Sequence, residues 1–138
     1  MDAVLEKIEE FVSEHHLLTL STSHKNMPHA CSAFYIFDKE RVSFVIASDY
    51  ETQHIKNVQL NSQVSVTVAL ETESIGIIQG LQCQAVMRKS DNMLHKKAYY
   101  KRFPYAAAMN PILWEIKVGE MKFTNNRLGF GKKLIWKR

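Results

Sequence analysis

The order of strand-like segments is the feature that most constrains how this chain can fold. These segments follow one another instead of alternating regularly with helices, and they are rich in β-branched, aromatic and small residues. They lie at residues 17–22, 29–37, 42–47, 64–70, 75–89, 112–124 and 128–136. Consecutive strands joined by polar turns pair antiparallel, whereas a parallel sheet needs a long crossover between strands. The sequence therefore predicts a mainly β fold, an antiparallel barrel of six or seven strands with flanking helices.

Three strand-like segments carry further information about the sheet. Residues 42–47 are largely apolar on both faces, which suits a strand of a sheet closed around a core. Residues 64–70 alternate apolar with small or polar residues, the pattern of a strand with one buried face. In the segment 75–89, Gly76 and Gly80 predict a bend or a bulge.

Two principal helices and one shorter helical segment are predicted beside the strands. Residues 3–15 show the helical spacing of apolar residues, with Asp2 placed to cap the first turn. Residues 50–61 are predicted to form a short helix or helical turn. Asp91 is expected to cap a helix that runs to about Arg102 and ends before a proline.

Length, cysteine content and the N-terminal residues indicate a single cytoplasmic domain. The 138 residues match the usual size of one domain, here taken as 1–138. No apolar run approaches the roughly 18 residues that cross a bilayer, and the acidic N-terminal stretch lacks the basic leader of a signal peptide. Cys31 and Cys83 stand far apart without CxxC spacing, so both are expected to pack as reduced thiols.

The segment from Ser48 to Asn57 is the best candidate for a binding site. It lies where a strand gives way to a helix, and helix N-termini carry unpaired amides and partial positive charge that attract anions. Ser48 and Thr52 offer hydroxyl groups, and His54 and Lys56 offer cationic donors. The same residues also fit a structural role, with Thr52 as a helix cap and His54 on the surface.

Several kinds of catalytic and metal site are not indicated by the sequence. Gly-rich phosphate loops and a GxSxG motif do not occur. His24 and His29 flank a predicted turn and His15 adjoins His16, yet none has the helical spacing with a nearby carboxylate that zinc enzymes use. We therefore predict no metal site, and the catalytic residues of any reaction stay unidentified.

Basic residues cluster in two places of a chain whose net charge is +4. One cluster, around Lys96, Lys97 and Arg102, lies beside tyrosines on a predicted helix, and the other lies in the stretch 127–138. Cations mixed with aromatic side chains can hold phosphates or stack on planar rings, and they equally suit a solvated helix face. No nucleic-acid-binding motif accompanies them, so a nucleic-acid partner is not the leading expectation.

With these segments in order, the chain resembles the pyridoxamine-phosphate-oxidase-like split-barrel flavoproteins. The resemblance rests on FVIASDYETQHIKNVQLNSQVSV, where a strand, a short Ser/Thr-and-basic segment and a helix follow the pattern of that superfamily. Gly80 also falls where these proteins usually have a glycine. SAFYIFD (Ser32 to Asp38) and KFTNNRLGFGKKLIWKR (Lys122 to Arg138) look like its small YhbP-like branch. The resemblance covers nearly the whole chain.

The resemblance implies an FMN-binding homodimer with two flavin sites at the subunit interface. The implied function is that of a flavoprotein, and by extension a flavin-dependent oxidoreductase of unidentified substrate. The phosphate would lie at the Ser/Thr-and-basic segment and the ring beside the strand 29–37. The cofactor-binding residues that it implies are Ala30, Ser32, Ser48, Thr52, Gln53, His54, Trp114, Lys132 and Lys133.

A second interpretation follows from the positions at which the chain departs from that superfamily. Ala30 stands where the oxidases carry a phosphate-binding arginine, Tyr35 stands near a lysine position, and Thr52-Gln53-His54 replaces Ser-Arg-Lys. A charge-assisted hydrogen bond contributes about 1.5–3 kcal/mol, so losing two donors would weaken phosphate binding by roughly a hundredfold or more. The alternative is a cofactor-free split barrel that binds an anionic ligand or nucleic acid.

Overall fold

The computed structural model describes residues 2–138. Within them the chain forms seven β-strands, four α-helices and two 3₁₀ turns. In chain order the helices and strands are α1 (Ala3–Glu14), β1 (Leu17–His24), β2 (Met27–Asp38), β3 (Ser43–Ala47), α2 (Gln53–Leu60), β4 (Gln63–Ala69), β5 (Gln79–Lys89), α3 (Met93–Arg102), α4 (Pro104–Met109), β6 (Leu113–Asn125) and β7 (Lys133–Lys137). In this described part of the chain, no helix is long and apolar enough to cross a membrane.

All seven strands belong to one antiparallel sheet that closes on itself. Neighbouring strands follow the order β3-β2-β1-β4-β5-β6-β7, and β3 also pairs with β6. The closing pair runs from Ser43 opposite Lys117 to Ala47 opposite Leu113. Six strands therefore form a barrel and β7 extends the sheet from β6. This architecture confirms the predicted mainly β antiparallel barrel with flanking helices.

Apolar side chains fill the barrel because alternate residues of each strand point inward. The interior includes Leu18, Leu20, Tyr35, Phe44, Ile46, Val64, Val66, Leu81, Cys83, Ile116 and Met121. Helix α1 packs against this core through Phe11, whose ring centroid lies 4.9 Å from that of Phe123. Asp2 caps the helix, as predicted, by accepting hydrogen bonds from the amides of Val4 and Leu5.

Strand β3 is buried on both faces, as its sequence predicts. Phe44 and Ile46 face the barrel interior, while Val45 packs on the outside against Tyr99 of α3. Helix α3 therefore covers the outer face of β3 and the end of β2, where Ile36 joins the same outer cluster. The site described below lies directly after this fully buried strand.

Strand β6 changes partner along its length. Its first part, 113–117, pairs with β3, and its later part, 120–124, pairs with β7. Between them the register with β5 shifts, because Gln84 lies opposite Glu120 whereas Ala85 lies opposite Val118. The pairing thus skips Gly119, and such a bulge bends a strand and increases its twist. The bend lets one strand both close the barrel and carry β7.

The outer face of four neighbouring strands carries no charged side chain over its central part. Its outward residues in β2, β1, β4 and β5 are Leu17, Thr19, Ser21, Ala30, Ser32, Phe34, Ser65, Thr67, Ala69, Gln82 and Gln84. We call this set the uncharged face. Charged residues make up 23% of the chain. A surface of this extent on which none of them occurs is therefore unusual.

Two predicted strands differ from the structure. The segment 75–89 is not one strand, because residues 75–77 form a 3₁₀ turn and β5 begins at Gln79. The predicted bend occurs at Gly76, within the 3₁₀ turn, and the register of β5 shifts farther on, at Gln84/Ala85. Strand β7 begins later than the predicted residue 128, because a 3₁₀ turn and two glycines with positive φ redirect the chain before it.

The predicted end of the second long helix at about Arg102 is confirmed, but its predicted cap is wrong. Asn92, not Asp91, caps α3, since its Oδ1 accepts the amide hydrogen of Leu94 at 2.9 Å. The chain does not become a plain connection after Phe103, because α4 follows immediately with Pro104 in its first turn. A proline that ends one helix is equally suited to begin the next, since its fixed φ matches the first helical position.

Candidate functional site

Ser48, Thr52 and His54 meet where β3 ends and α2 begins. Ser48 Oγ lies 2.6 Å from His54 Nε2 and 3.4 Å from Thr52 Oγ1. Thr52 Oγ1 donates to the carbonyl of Asp49 at 3.0 Å and accepts from the amide of Ile55 at 3.3 Å. Thr52 thus caps α2 and also belongs to a polar group that we call the hydroxyl–histidine cluster (Ser48, Thr52 and His54). Three of the predicted site residues are in contact here.

The start of α2 adds backbone donors to this cluster. Among residues 2–138, no acceptor faces the amides of Gln53 and His54, the first two residues of the helix. The partial positive charge of a helix N-terminus acts in the same place. The Gln53 side chain is used differently, since its Nε2 donates to Asn57 Oδ1 at 2.9 Å. Gln53 therefore offers its amide to a ligand, and its side chain stabilises the helix.

His54 is a neutral hydrogen-bonding group near neutral pH. Partial burial lowers its pKa, the neighbouring His29 lowers it further, and Asp49 raises it in part. The rings of His29 and His54 are nearly parallel, with centroids 6.5 Å apart. The ring thus acts as a donor or acceptor and not as the cation expected from the sequence.

Trp114 supports the cluster from the closing strand of the barrel. Its Nε1 donates to the carbonyl of Ser48 at 2.8 Å. The indole is buried, and Tyr50 packs edge-on against it with ring centroids 5.8 Å apart. Trp114 therefore fixes the backbone that carries the Ser48 hydroxyl, which is an indirect contribution to the site.

Ala30 and Ser32 lie on a different surface from the hydroxyl–histidine cluster. They occupy outward positions of β2, opposite Ser21 and Thr19 of β1. Both belong to the uncharged face. Neither lines the groove described below, which takes Phe34 from the same face.

Lys132 and Lys133 lie far from the cluster within one chain. Lys133 pairs with Thr124 near the end of β6, whereas Trp114 lies near its start. At about 3.3 Å per residue, the two positions are roughly 30 Å apart along the strand. These lysines could therefore reach a site at Ser48 only from a second copy of the chain.

A large groove opens beside the hydroxyl–histidine cluster and shares Ser48 with it. Its volume is about 830 Å³, within the range usual for small-molecule sites. It is lined by Phe34, Ala47, Ser48, Asp49, Tyr99, Arg102, Phe103, Pro104, Tyr105, Ala106, Met109, Asn110, Pro111 and Ile112. Most of these side chains are apolar, so we call it the apolar groove.

Two charged side chains line the apolar groove, and both have partners in the protein. The Arg102 guanidinium donates to the carbonyl of Tyr35 at 3.1 Å and to the carbonyl of His15. Asp49 Oδ1 accepts the amide hydrogen of Glu51 at 2.9 Å. The groove therefore suits an apolar ligand, and any anionic part of that ligand depends on the adjacent hydroxyls and amides.

Sequence reasoning missed most of the groove wall. Residues 103–112, which include α4, were expected to end a helix and lead into a strand. Tyr105 and Met109 are 93% and 80% exposed, although both are large and apolar. The composition of this connection, rich in aromatic and small apolar residues, could have indicated a binding surface, because exposed apolar patches mark such surfaces.

The histidine pair that flanks the first hairpin does not converge. The two-residue turn Lys25-Asn26 has positive φ at both positions, so His24 pairs with Met27 and His29 with Thr22. Over residues 2–138, no three His, Cys, Asp or Glu side chains come together as metal ligands.

The comparisons with known proteins define the class. A family model described as pyridoxamine 5′-phosphate oxidase matches residues 4–124. A heme binding protein from Mycobacterium smegmatis has the same fold, with a TM-score of 0.82 and 12% identity over 99% of this chain and 59% of that one. The fold is shared by a putative pyridoxamine 5′-phosphate oxidase from Listeria innocua, with a TM-score of 0.71 and 15% identity over 87% of this chain and 97% of that one. It is also shared by a FAD-binding protein from Mesorhizobium loti, with a TM-score of 0.69 and 12% identity over 88% of this chain and 90% of that one. The family model and the shared fold thus define the chain as a pyridoxamine 5′-phosphate oxidase-like split barrel.

Relatives in sequence narrow this class. A UPF0306 protein from Cronobacter sakazakii is 37% identical over 141 residues, covering 100% of this chain and 97% of the relative. The UPF0306 protein YhbP of Escherichia coli is 33% identical over 137 residues, covering 97% and 98%. The chain belongs to the UPF0306 family within the pyridoxamine 5′-phosphate oxidase-like split barrels, which confirms the resemblance seen in its sequence.

Proposed function

We propose that this protein binds FMN, with the phosphate at the hydroxyl–histidine cluster and the isoalloxazine ring in the apolar groove. One observation carries the proposal: Ser48 belongs both to the cluster and to the wall of the groove. FMN has the same two parts, an anionic phosphate joined by a short chain to a largely apolar ring system. The unpaired amides of Gln53 and His54 add donors for the phosphate.

The protein's own residues would bind and orient this cofactor. To bind the phosphate beside the α2 amides, the Thr52 hydroxyl would exchange its hydrogen bond to the carbonyl of Asp49 for one to the phosphate. Trp114 would hold the Ser48 backbone in place. The wall formed by residues 103–112 shields the ring from water. When bound, the flavin would supply redox chemistry, and the reaction would be that of an oxidoreductase.

We also propose that the protein is a homodimer formed through the uncharged face. Charged residues are depleted at the centre of protein interfaces, and this face has none across four strands. Phe34 is 52% exposed and belongs to both the face and the apolar groove. A second copy seated there would close the open side of the groove, and Lys132 and Lys133 of that copy are the cations available to the phosphate.

A planar apolar ligand without a phosphate anchor, such as heme, is the second candidate. The hydroxyl–histidine cluster contains no Lys or Arg, and the one arginine of the groove is hydrogen-bonded to backbone carbonyls. A structural neighbour described as a heme binding protein supports this candidate. It would use the groove and leave the cluster to its structural role as cap of α2.

Titrations of the purified protein with FMN, riboflavin and hemin separate these candidates. We expect flavin fluorescence quenching to saturate at one FMN per chain, with weaker binding of riboflavin because it lacks the phosphate. Equal affinity for FMN and riboflavin would contradict the phosphate assignment. Binding of hemin without binding of FMN would favour the second candidate.

A double variant tests the residues of the cluster. We expect Thr52→Ala with His54→Ala to weaken FMN binding by roughly a hundredfold or more, because two hydrogen bonds to an ionised phosphate are lost. Riboflavin affinity should change little. The matched control, Thr72→Ala with His24→Ala, makes the same substitutions outside the site, and Thr52→Ser keeps both the cap and the hydroxyl. Unchanged FMN affinity in the first double variant would remove this assignment.

A further inference from the structure

A second cluster of polar side chains lies outside the proposed flavin site. It joins Ser90, between β5 and α3, to His95 of α3 and to Asp38 at the end of β2. Ser90 Oγ lies 2.7 Å from His95 Nδ1, and His95 Nε2 lies 2.8 Å from Asp38 Oδ2. His95 is only 3% exposed, so the imidazole is held between its two partners. The result is a hydrogen-bonded chain of hydroxyl, imidazole and carboxylate.

The chemistry of these groups fixes the direction of the hydrogen bonds when the imidazole is neutral. A carboxylate only accepts, so Nε2 carries the hydrogen and donates it to Asp38. Nδ1 is then the acceptor, and the Ser90 hydroxyl donates to it. This is the arrangement that makes a serine nucleophilic in Ser-His-Asp triads, with the roles of the two ring nitrogens exchanged relative to serine proteases.

Ser90 is also accessible to a small molecule. It lines a cavity of about 290 Å³ together with Lys89 and Lys96. In residues 2–138 the amides of Asp91 and Met93, which flank the start of α3, have no acceptor. Unpaired amides beside a nucleophile can stabilise the oxyanion of an acyl-transfer intermediate. The two lysines favour a substrate that carries negative charge.

We propose that Ser90 is the nucleophile of a second site, which hydrolyses small anionic carboxylic esters. Ser90 Oγ attacks the ester carbonyl carbon while its proton passes to His95 Nδ1, and Asp38 keeps accepting from Nε2. The intermediate collapses, the ester C–O bond breaks, and the leaving alcohol takes the proton from Nδ1. Water then attacks the acyl-Ser90 bond, gives one proton to Nδ1, and releases the acid as the Ser90 hydroxyl re-forms.

This proposal is independent of flavin binding. The cavity at Ser90 touches the apolar groove only along residues 110–112, which line both. The opposing explanation is that Ser90, His95 and Asp38 only attach α3 to the end of β2. A structural attachment predicts lower stability on substitution, whereas a nucleophile also predicts a covalent adduct at one serine.

Acetylation by 4-nitrophenyl acetate, followed by peptide mass mapping, tests the nucleophile in the wild-type protein. We expect one acetyl group, on the peptide containing Ser90. An aryl fluorophosphonate should modify the same residue. Absence of an adduct at Ser90 at every pH, or acetylation of Lys89 or Lys96 in its place, would overturn the proposal.

Variants then separate nucleophilic from structural roles. We expect Ser90→Ala to abolish the adduct, and Asp38→Asn to slow acetylation on the order of a hundredfold or more, because the imidazole loses the group that orients it. Ser74→Ala, in an exposed loop, is the control and should be acetylated at Ser90 as in the wild type. Acetylation of folded Asp38→Asn at the wild-type rate would reduce the cluster to a structural attachment.

Discussion

Two serine–histidine pairs in this molecule differ in the third group that each histidine meets. Ser48 and His54 are 2.6 Å apart, and Ser90 and His95 are 2.7 Å apart. The far nitrogen of His95 faces a carboxylate, whereas His54 lies beside the parallel ring of His29. A carboxylate acceptor orients an imidazole as a base, and a neighbouring imidazole opposes its protonation. Similar pairs thus suit a nucleophile at one place and a neutral ligand-binding group at the other.

His54 should make the protein less stable as the pH falls. Its pKa is lowered in the folded state, so the unfolded chain binds more protons at this residue. Stability from this group is therefore fully present above the ordinary histidine pKa of about 6.5, and it is lost as the pH falls from there through the lower pKa of the folded state. Urea unfolding between pH 7.5 and pH 5 should show a smaller loss in His54→Gln than in the wild type. Equal losses in the two proteins would refute this role.

At the scale of the elements, the N-terminal cap of α3 is a position where the sequence-based prediction differs from the structure. Asp91 and Asn92 are both good capping residues, but only Asn92 accepts the hydrogen bond from the third residue of the turn, Leu94. We expect Asn92→Ala to lower the free energy of unfolding by about 1 kcal/mol. Asp91→Ala is the matched control and should change it by less than about 0.5 kcal/mol. The reverse ranking in urea unfolding would restore the cap to Asp91.

Strands with a clear apolar pattern, alternating or continuous, were predictable from the sequence, and irregular connections were not. The alternation at 64–70 and the apolar run at 42–47 predicted β4 and β3 within one or two residues. Residues 75–77 and 104–109 were misassigned because short helical turns lack a periodic pattern long enough to identify them. The bulge at Gly119 depends on pairing with β5, which local sequence does not encode.

The candidate site was predictable only where its residues are close in sequence. Ser48, Thr52 and His54 lie within one strand-to-helix segment, and helix physics places them together. The apolar groove combines this segment with residues 103–112, which are distant in the chain. Likewise, Asp38 meets His95 only because α3 folds back over the end of β2. Such contacts need the tertiary fold.

At the scale of the whole molecule, the uncharged face is a surface that solvation alone does not explain. Polar outward residues on an exposed sheet usually include charges, which also protect against unwanted association. Here the outward residues in the central part of four strands are small, hydroxyl-bearing, amide or apolar. The absence of charges on this face is explained if a second copy of the chain covers it.

A single charge at the centre of that face should separate the subunits. Thr19 lies on the central strand β1, between Ser32 of β2 and Thr67 of β4. We expect Thr19→Arg to weaken dimerisation by about a hundredfold or more, because a buried unpaired charge costs about 3–5 kcal/mol. Light scattering coupled to size-exclusion chromatography measures the effect. Ser13→Arg on α1 is the control and should leave the dimer intact; a monomeric wild type would contradict the proposed interface.

Because β6 both closes the barrel on β3 and carries β7, the native fold can form only after β6 has been synthesised. On a ribosome, β1 to β5 are made well before residues 113–117, so β3 waits with one edge unpaired. That strand is apolar on both faces, and an exposed apolar edge is prone to pair with other chains. Closing the barrel also joins distant parts of the chain, which is slow for entropic reasons. The nascent chain is therefore most prone to aggregation in the interval before β6 has been synthesised.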